Sequence, residues 1–298
     1  MYPKEFDYWA ARSVDDALKL LAEHEDSKVL AGGQSLISLM KLRLASPAHL
    51  VDIRGVPDLA FVRRAPGPAA AVEIGALTTH DAVARSALLE GDCPILPAAA
   101  RNIADQQIRN RGTIGGSCCH ADPASDLPPA LRALDARFTI VRPGGPRTVA
   151  ASEFFVDLFE TAVRPGELLT TVTVPVLGRD WGWEYTKFSR REGDYPIVGV
   201  AIVVRVDLRS SVIAESRIAL AAVGSTPVRA AKAEAALVGK SPSPALFAEA
   251  AERAADGLKP GSDIHGSAEY RTHLVRVLVR RALPVAVARA GRTSGGAA

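Results

Sequence analysis

Hydrophobic residues in the first part of the chain follow helical and strand periods in turn. Val14 and Leu18 recur at helical spacing, and Ser13 before them is typical of a helix start. Short apolar runs at 28–31 and 50–53 are predicted strands, with the helical run SLISLMKLRL between them. With an initial strand, the order strand, helix, strand, helix, strand favours an α/β layer.

The stretch from residue 56 to residue 176 is predicted to mix strands, helices and loops. A Pro- and Gly-rich loop at 63–70 opens it, and Thr79 is placed to cap the helix HDAVARS. The other elements predicted here are strands at 71–79, 137–142 and 168–175 and helices at 94–105 and 126–136. The segment 108–127 is predicted to be a long irregular loop, which costs entropy unless something fixes it and is therefore expected to be functional.

The pattern of predicted secondary structure changes at 176–182. Three β-branched runs, at 183–189, 197–208 and 216–225, are predicted strands, and three helices are predicted at 227–239, 244–256 and 267–283. We therefore expect a first domain at 1–176 with subdomains of about 1–55 and 56–176, an α+β domain at 177–288 and a flexible tail at 289–298.

Composition excludes several classes of protein. The chain has 298 residues and a net charge of +3, so no concentrated basic face for nucleic acid is expected. Its three cysteines are too few for a disulfide framework or for a four-thiolate metal site. With no apolar run of about 18 residues and no secretory signal, we expect no membrane span and a cytoplasmic protein.

Two glycine-rich turns carry the candidate chemistry. Ala31-Gly32-Gly33-Gln34-Ser35-Leu36 lies between a strand and a helix, and Gly112-Thr113-Ile114-Gly115-Gly116-Ser117 lies in the predicted long loop. Glycine lets backbone amides approach a phosphate closely, although a single Gly-Gly pair is commonly just a tight turn. Two such turns, each with a following Ser, are better explained by one diphosphate held from both sides.

Neither turn fits a common nucleotide-binding motif. No G-x-G-x-x-G occurs in the chain, which disfavours a Rossmann fold. Gly239-Lys240-Ser241 resembles the end of a P-loop, but Glu234 stands where that motif needs glycine, so a helix C-cap is predicted instead.

Ordered motifs over nearly the whole chain carry a family resemblance. They are AGGQSL from residue 31, IGALTTH at 74–80, TIGGS at 113–117, HADPASDLP at 120–128, PGELLTTVTVP at 165–175 and EYTKFSRREGDYPIVGVA at 184–201. This set resembles the FAD-binding medium subunits of molybdenum hydroxylases, such as carbon monoxide dehydrogenase and xanthine dehydrogenase. The resemblance implies an α+β chain with a two-subdomain FAD-binding fold of the vanillyl-alcohol-oxidase (PCMH) type. A C-terminal α+β domain of the carbon monoxide dehydrogenase flavoprotein type would follow.

The resemblance also implies which residues bind FAD. The two turns would hold the pyrophosphate, Asp126 would be an acidic contact to FAD, and Ile103 and Tyr195 would lie near the cofactor. The implied set is Ala31, Gly32, Gly33, Gln34, Ser35, Leu36, Ile103, Thr113, Ile114, Gly115, Gly116, Ser117, Asp126, Leu169, Lys187 and Tyr195.

Each of the isolated residues also has a structural interpretation. Asp126 could cap the helix that follows it, and Lys187 could form a surface ion pair with Glu184. Leu169 is expected to be a core residue in any case, and Tyr195 could be ordinary turn packing.

The segment after the second turn offers weaker candidates. Cys118 and Cys119 are interpreted as two small buried hydrophobic residues, with a redox role unsupported. His120 and Asp122 are too few for a metal site and are expected to structure the loop. Asp122 and Asp126 could be an acid–base pair, but nothing in the sequence sets their separation.

The resemblance implies an electron-transfer flavoprotein subunit. Electrons would come from a molybdenum cofactor in a large subunit, through [2Fe–2S] clusters in a small subunit, to FAD and then to an external acceptor. The assembly would be a dimer of heterotrimers, with no catalytic residue and no metal on this chain. The alternatives are a self-contained FAD-dependent oxidase or reductase and a flavin-free assembly subunit.

Overall fold

The computed structural model describes residues 2–67 and 70–291. Its strands are β1 (Asp7–Ala10), β2 (Ser27–Leu30), β3 (His49–Asp52), β4 (Val62–Arg64), β5 (Ala71–Gly75), β6 (Arg137–Arg142), β7 (Gly145–Ala150), β8 (Phe155–Asp157), β9 (Glu160–Thr161), β10 (Leu168–Pro175), β11 (Trp181–Phe188), β12 (Val198–Asp207), β13 (Val212–Ala221) and β14 (Val228–Arg229). Its helices are α1 (Val14–Glu23), α2 (Leu36–Lys41), α3 (His80–Arg85), α4 (Ala87–Asp92), α5 (Ile95–Arg101), α6 (Gln106–Arg109), α7 (Ile114–His120), α8 (Leu127–Ala133), α9 (Ala151–Phe154), α10 (Ala231–Leu237), α11 (Pro244–Ala254) and α12 (Ala268–Arg289).

The N-terminal segment forms a three-stranded parallel sheet in the order β1-β3-β2. The predicted order of strand, helix, strand, helix, strand is confirmed, and Ser13 caps α1 by accepting the amide of Asp16. Because β2 and β3 are parallel, the residues that follow them meet at one edge of the sheet. This edge carries the turn at 31–36 and Arg54.

A five-stranded antiparallel sheet in the order β4-β5-β10-β6-β7 forms the second layer. Its core joins α5, α7 and α8, with Phe138 and Phe154 fully buried and stacked at 3.9 Å between ring centroids. Aromatic pairs of this kind add to the stability that burial gives.

The C-terminal region is a four-stranded antiparallel sheet in the order β11-β12-β13-β14, with α10, α11 and α12 packed on it. The three strands and three helices predicted there are confirmed, and the short β14 is added. Alternation along β12 explains the two faces: Val200 and Ile202 point to these helices, whereas Ala201 and Val203 join the core around α8. The α8 region therefore lies between the two antiparallel sheets.

The predicted irregular loop at 108–127 is wrong. Helix α6 ends in this segment and helix α7 follows it. Thr113 is the N-cap residue of α7, and its hydroxyl accepts a hydrogen bond from the amide of Gly116. Two glycines disfavour a helix on propensity alone. Tertiary contacts override that preference, because Gly115 packs directly against Ala76.

The predicted end of the last helix and the predicted start of the tail also differ from the structure. The last helix continues past Pro284 to Arg289, which donates to Glu184 at 2.7 Å. A β-carbon on Gly182 would lie 1.8 Å from the carbonyl oxygen of Ala286, so this final turn is packed closely on β11. The predicted tail at 289–298 therefore begins too early, and its residues 292–298 lie outside the described residues.

The predicted loop at 63–70 also begins too early, because Val62–Arg64 pairs with β5 as strand β4. Residues 68–69 of that loop lie outside the described residues. In the ranges 2–67 and 70–291, no helix is long and apolar enough to cross a membrane.

Candidate functional site

The two glycine-rich turns lie in contact, although they are far apart in the sequence. Residues 31–36 connect β2 to α2, and residues 113–117 begin α7. A β-carbon on Gly32 would lie 2.2 Å from the carbonyl oxygen of Arg111, and one on Gly116 would lie 3.8 Å from the Ala31 side chain. The structure therefore brings together the two turns that the sequence treats as a pair.

Residues 31–36, called the open turn below, hold backbone amides that the protein does not use. Within the ranges 2–67 and 70–291, none of the amides of residues 32–36 donates to a protein acceptor. Gly33 has φ of +75°, a left-handed conformation in which other residues are strained. Unused amides in such a turn are suited to bind an anion such as a phosphate.

Residues 113–117, called the saturated turn below, donate most of their backbone amides to protein acceptors. Four of the five amides donate internally: Ile114 to Thr78 O at 3.0 Å, Gly115 to Ala76 O at 2.9 Å, Gly116 to Thr113 Oγ1 at 3.1 Å and Ser117 to Thr113 O at 2.9 Å. This turn therefore offers a ligand the hydroxyl groups of Thr113 and Ser117 more than its backbone.

Two of the glycines are required by protein packing. Besides the Gly32 contact with Arg111, a β-carbon on Gly115 would lie 2.6 Å from both the β-carbon and the carbonyl oxygen of Ala76. Real β-carbons essentially never approach other atoms so closely, so a larger residue would push the open turn away from Arg111 in the first case and α7 away from Ala76 in the second. These two glycines have a structural reason to be small, whatever the turns bind.

A cavity of about 390 Å³ opens beside the open turn. Among its lining residues are Gly32, Gly33 and three cations, Lys41, Arg54 and Arg111. Arg54 Nε donates to the buried Asp52 carboxylate at 2.9 Å and 3.0 Å, which fixes its guanidinium. The positive charge of the site is concentrated at this end.

Asp126 and Lys187, both in the predicted set, meet as a buried ion pair. Lys187 Nζ lies 3.1 Å from Asp126 Oδ1, and the Tyr185 hydroxyl donates to the same oxygen at 2.5 Å. Burial raises the pKa of Asp126, while the Lys187 charge and the Tyr185 hydrogen bond oppose that rise. Asp126 is the N-cap residue of α8, but its carboxylate accepts no hydrogen bond from the amides of the first helical turn.

Lys187 also connects two loops. Its ammonium donates to the carbonyl oxygens of Asn102 at 2.7 Å and Asp194 at 2.9 Å. Its side chain is only 6% exposed, so the predicted surface pair with Glu184 is wrong. Glu184 binds Arg289 instead.

Ile103 and Tyr195 follow the residues that Lys187 holds. Ile103 is partly buried against the main core, and Tyr195 is 58% exposed. Partial burial raises the pKa of the Tyr195 hydroxyl, and the Asp122 and Asp126 carboxylates add to that rise, whereas a hydrogen bond to Ser35 opposes it. Tyr195 therefore lies between the open turn and the buried ion pair.

Leu169 and Ile114 of the predicted set lie in the core, Leu36 is partly buried, and Gln34 is exposed and lines the cavity. Leu169 is 3% exposed on β10 and Ile114 is fully buried, which confirms the expectation of a core position for Leu169. Leu36 packs on the small cluster around Met40, and the Gln34 side chain donates to the carbonyl oxygen of Gly32 at 3.2 Å.

The weaker candidates are also located. Cys118 is buried but Cys119 is exposed, so the prediction of two buried cysteines is wrong for Cys119. The ring of His120 is tilted against that of Phe159, with 5.1 Å between ring centroids, and its Nε2 lies 4.0 Å from Asp122. These contacts fit the expected structuring of the loop.

Sequence reasoning missed Tyr185, Lys41, Arg54 and Arg111. Arg54 lies two residues after the end of a parallel strand, and Arg111 precedes the second glycine-rich segment, so both carried a usable signal. Lys41 ends α2, away from any motif. Tyr185 contacts Asp126 only through the tertiary fold, and no local pattern marks it.

Two family models together cover most of the chain. The FAD binding domain in molybdopterin dehydrogenase matches residues 4–177, and the CO dehydrogenase flavoprotein C-terminal domain matches residues 183–286. The first model covers more than half of the chain.

Similar proteins extend over the full length. The 6-hydroxypseudooxynicotine dehydrogenase complex subunit alpha of Paenarthrobacter nicotinovorans is 43% identical over 98% of both chains. The carbon monoxide dehydrogenase medium chain of Afipia carboxidovorans is 40% identical over 97% of this chain and 99% of its own length.

Solved structures agree with the fold. Carbon monoxide dehydrogenase from Hydrogenophaga pseudoflava superposes with a TM-score of 0.93 at 40% identity, over 97% of this chain and 100% of the other. Quinoline 2-oxidoreductase from Pseudomonas putida 86 gives 0.92 at 34% identity, over 98% and 100%. This chain therefore belongs to the family of FAD-binding medium subunits of molybdenum hydroxylases.

Proposed function

We propose that this chain is the FAD-binding electron-transfer subunit of a heterotrimeric molybdenum-containing hydroxylase or dehydrogenase. It would take electrons from [2Fe–2S] clusters of a small subunit and pass them from FAD to an external acceptor. Support comes from the family match over both halves of the chain and from relatives that are themselves subunits of dehydrogenase complexes.

The single observation that carries this proposal is the open turn with its unused amides, next to a cationic cavity. FAD has a negatively charged diphosphate, and unused amides and cations are the groups that bind one. We propose that residues 31–36 hold the diphosphate mainly with backbone amides. Thr113 and Ser117 would add hydroxyl groups from the saturated turn, while Ile114, Gly115 and Gly116 shape it.

The flavin ring would lie at the other end of the site. Ile103 and Tyr195 offer apolar and aromatic surface there, beside the buried pair of Asp126 and Lys187. Lys187 fixes the Ile103 and Tyr195 loops, and Leu169 supports the ring end from the core. Bound FAD would supply the one- and two-electron chemistry, and this chain would bind and orient it.

The arrangement of domains and partners is also a proposal. We place an FAD-binding domain at 1–176, with subdomains of about 1–55 and 56–176, and the C-terminal domain at 177–288. The partners would be a large molybdopterin-binding subunit and a small [2Fe–2S] subunit, in a cytoplasmic dimer of heterotrimers.

The experiment compares the native complex with the full-length chain produced alone. We expect both to carry one FAD per chain, measured by absorbance and identified by mass. We expect the flavin to be reduced by the substrate of the complex only when the small and large subunits are present. Turnover by the chain alone would instead support a self-contained oxidase or reductase. Absence of flavin from both samples would contradict the proposal and favour an assembly subunit.

A further inference from the structure

Arg271 is a buried cation that the proposed function does not use. It lies near the start of α12 and is only 6% exposed. Burying a guanidinium costs free energy, and a well-packed apolar side chain commonly serves as well in a core. Its Nε has no hydrogen-bond partner among residues 2–67 and 70–291, which adds to that cost. An arginine in this place therefore needs a reason beyond filling space.

The guanidinium of Arg271 joins two loops. Its Nη1 donates to the carbonyl oxygen of Ile197 at 2.5 Å and to that of Ala222 at 3.2 Å. Its Nη2 donates to one carboxylate oxygen of Asp263 at 2.7 Å, and the other oxygen of that carboxylate accepts two backbone amides of its own turn. Asp263 is thereby fixed, and it fixes the direction of the guanidinium in turn.

The first of these loops connects β11 to β12 and carries Tyr195. The side chain of Tyr195 is exposed, so packing holds its ring only in part. The backbone on either side of it is held instead, because Lys187 binds the carbonyl oxygen of Asp194 at 2.9 Å and Arg271 binds that of Ile197. Two buried cations therefore set the path of the backbone around this ring.

The second loop touches the segment that precedes Asp126. Ala222 follows β13 and has φ of +61°, a conformation that strains a residue other than glycine. Its amide donates to the carbonyl oxygen of Pro123 at 2.8 Å, while its own carbonyl oxygen accepts from Arg271. Strain of this kind persists only where neighbouring contacts impose it. Arg271 therefore holds the Tyr195 loop and this segment in one arrangement.

Resting on the proposed function, we propose that Arg271 is a positioning residue for the ring end of the site. It would hold the Tyr195 ring beside the flavin by fixing the two loops, and not by contact with the flavin. Aromatic rings attract one another in particular arrangements, offset-stacked or edge-to-face, and a small misplacement weakens the contact. Loss of the Arg271 hydrogen bonds would let the loop move, and the flavin would lose a neighbouring aromatic ring.

The test compares two arginines of α12 in the full-length chain. Arg271→Met removes the hydrogen bonds, and Arg271→Lys keeps the charge but loses the forked geometry. Arg289→Met is the matched control. Arg289 also joins α12 to the sheet through a main-chain carbonyl oxygen and a carboxylate, those of Trp183 at 2.8 Å and Glu184 at 2.7 Å. It lies at the other end of the helix, about 27 Å away along the helix axis.

Two flavin signals report the position of the ring. Fluorescence titration gives the dissociation constant for FAD, and the fluorescence of the bound flavin is quenched when a tyrosine ring lies against it. Tyr195→Leu gives the signal of a site without that ring. Arg271→Met should approach the fluorescence of Tyr195→Leu and weaken FAD binding about fivefold, the range for one aromatic contact. Arg271→Lys should restore part of both signals, whereas Arg289→Met should bind and quench flavin as wild type does.

Hydrogen exchange of the flavin-free chains tests the hold on the loops directly. Backbone amides at 189–197 and at 222–227 should exchange faster in Arg271→Met than in wild type or in Arg289→Met. If Arg271→Met does not fold, Asp263→Asn replaces it, because loss of the charge weakens the bond that orients the guanidinium. This variant should change the fluorescence and the exchange in the same direction by a smaller amount.

Wild-type flavin fluorescence and FAD affinity in Arg271→Met would overturn the positioning role, and so would equal changes in Arg271→Met and Arg289→Met. Either result would leave FAD binding by the wild-type chain intact, so the proposed function would stand. A wild-type chain that binds no FAD would instead contradict the proposed function, and with it the role of Arg271 at the flavin.

Discussion

The open turn and the saturated turn have similar sequences, AGGQS and TIGGS, but the structure uses them in different ways. The amides of residues 32–36 find no acceptor within the part of the chain that the structure describes, whereas four of the five amides of 113–117 donate to protein acceptors. Gly33 is glycine because its φ is +75°, and Gly115 is glycine because Ala76 occupies the space of a β-carbon. A pair of glycines in a sequence therefore does not by itself show that a ligand approaches the backbone.

This difference divides the site into two walls. The saturated turn, Asp126 and Lys187 form a wall whose polar groups are satisfied within the protein. The open turn and the cavity cations form a wall whose polar groups still need a partner. We expect substitutions in the first wall to change the stability of the chain, and substitutions in the second wall to change its affinity for FAD.

Lys187→Met should have the largest effect. It removes one partner of a buried ion pair and, among the residues that the structure describes, leaves Asp126 with only the Tyr185 hydrogen bond, which costs about 3–5 kcal/mol of unfolding free energy. Denaturant unfolding of the flavin-free chain measures this loss.

Lys41→Met is the matched control in the open wall. Lys41 is exposed and has no ionic partner among the described residues, so we expect a change within about 0.5 kcal/mol. Equal losses of stability in the two variants would remove the distinction between the walls. The double variant Asp126→Asn with Lys187→Met should recover part of the loss.

Gly115→Ala should have the next largest effect on stability. The new β-carbon would lie 2.6 Å from the backbone and side chain of Ala76, so β5 or α7 must move, which costs about 3 kcal/mol. Gly91→Ala is the control, because Gly91 lies in α4 and no described atom outside its own helical turn lies within 4 Å of its β-carbon position. The control should be neutral or slightly stabilising, since alanine favours a helix. A melting temperature of Gly115→Ala equal to that of wild type would show that the saturated turn has room for a β-carbon at this position.

The sequence predicts the open wall better than the saturated wall. The open turn follows a β-strand with a clear apolar pattern and precedes a helical run, so local periodicity is enough to locate it. Helix α7 has seven residues, two of them glycine, and acceptors on Ala76 and Thr78 hold its first turn. No local pattern reports such contacts, and the segment is therefore predicted wrongly as a loop.

Asp126 and Lys187 also show that local sequence patterns do not report tertiary contacts. The sequence marks Asp126 and Lys187 through the family resemblance, but it does not show that they touch. Their contact joins residues separated by 61 positions and depends on how α8 packs on the sheet that contains β11. Local reasoning paired Lys187 with Glu184, which is the neighbour in sequence and not in space.

The saturated wall should also be sensitive to acid through His80. The His80 amide donates to the Gly112 carbonyl oxygen at 2.8 Å, and its ring occupies the space beside Gly112. Burial, assisted by the Arg109 charge, lowers the pKa of His80 from 6.5 to about 4. The unfolded chain therefore binds this proton more tightly, and stability should fall as the pH decreases from about 6.5 towards 4.

At pH 5 this loss should be about 2 kcal/mol relative to pH 8. His80→Phe should remove that part of the pH dependence, because the Nδ1 atom of His80 has no hydrogen-bond partner to lose within residues 2–67 and 70–291. The raised pKa of Asp126 acts in the opposite direction, so the difference between variant and wild type isolates His80. An identical pH profile in the variant would show that His80 is not responsible.

Gly33→Ala should have the smallest effect on stability and a clear effect on FAD, which makes it the sharpest comparison with Gly115→Ala. A left-handed conformation costs a non-glycine residue about 1 kcal/mol, and the nearest atoms, at 3.2 Å and 3.3 Å, belong to the side chains of Ile37 and Leu30, which can shift. Relief of the strain would rotate the amides of the open turn away from the diphosphate, so we expect at least tenfold weaker FAD binding in fluorescence titrations. Gly115→Ala that remains folded should keep most of its FAD affinity. If Gly33→Ala binds FAD as wild type does while Gly115→Ala does not, the two turns have exchanged roles, and the saturated turn is the phosphate site despite its occupied amides.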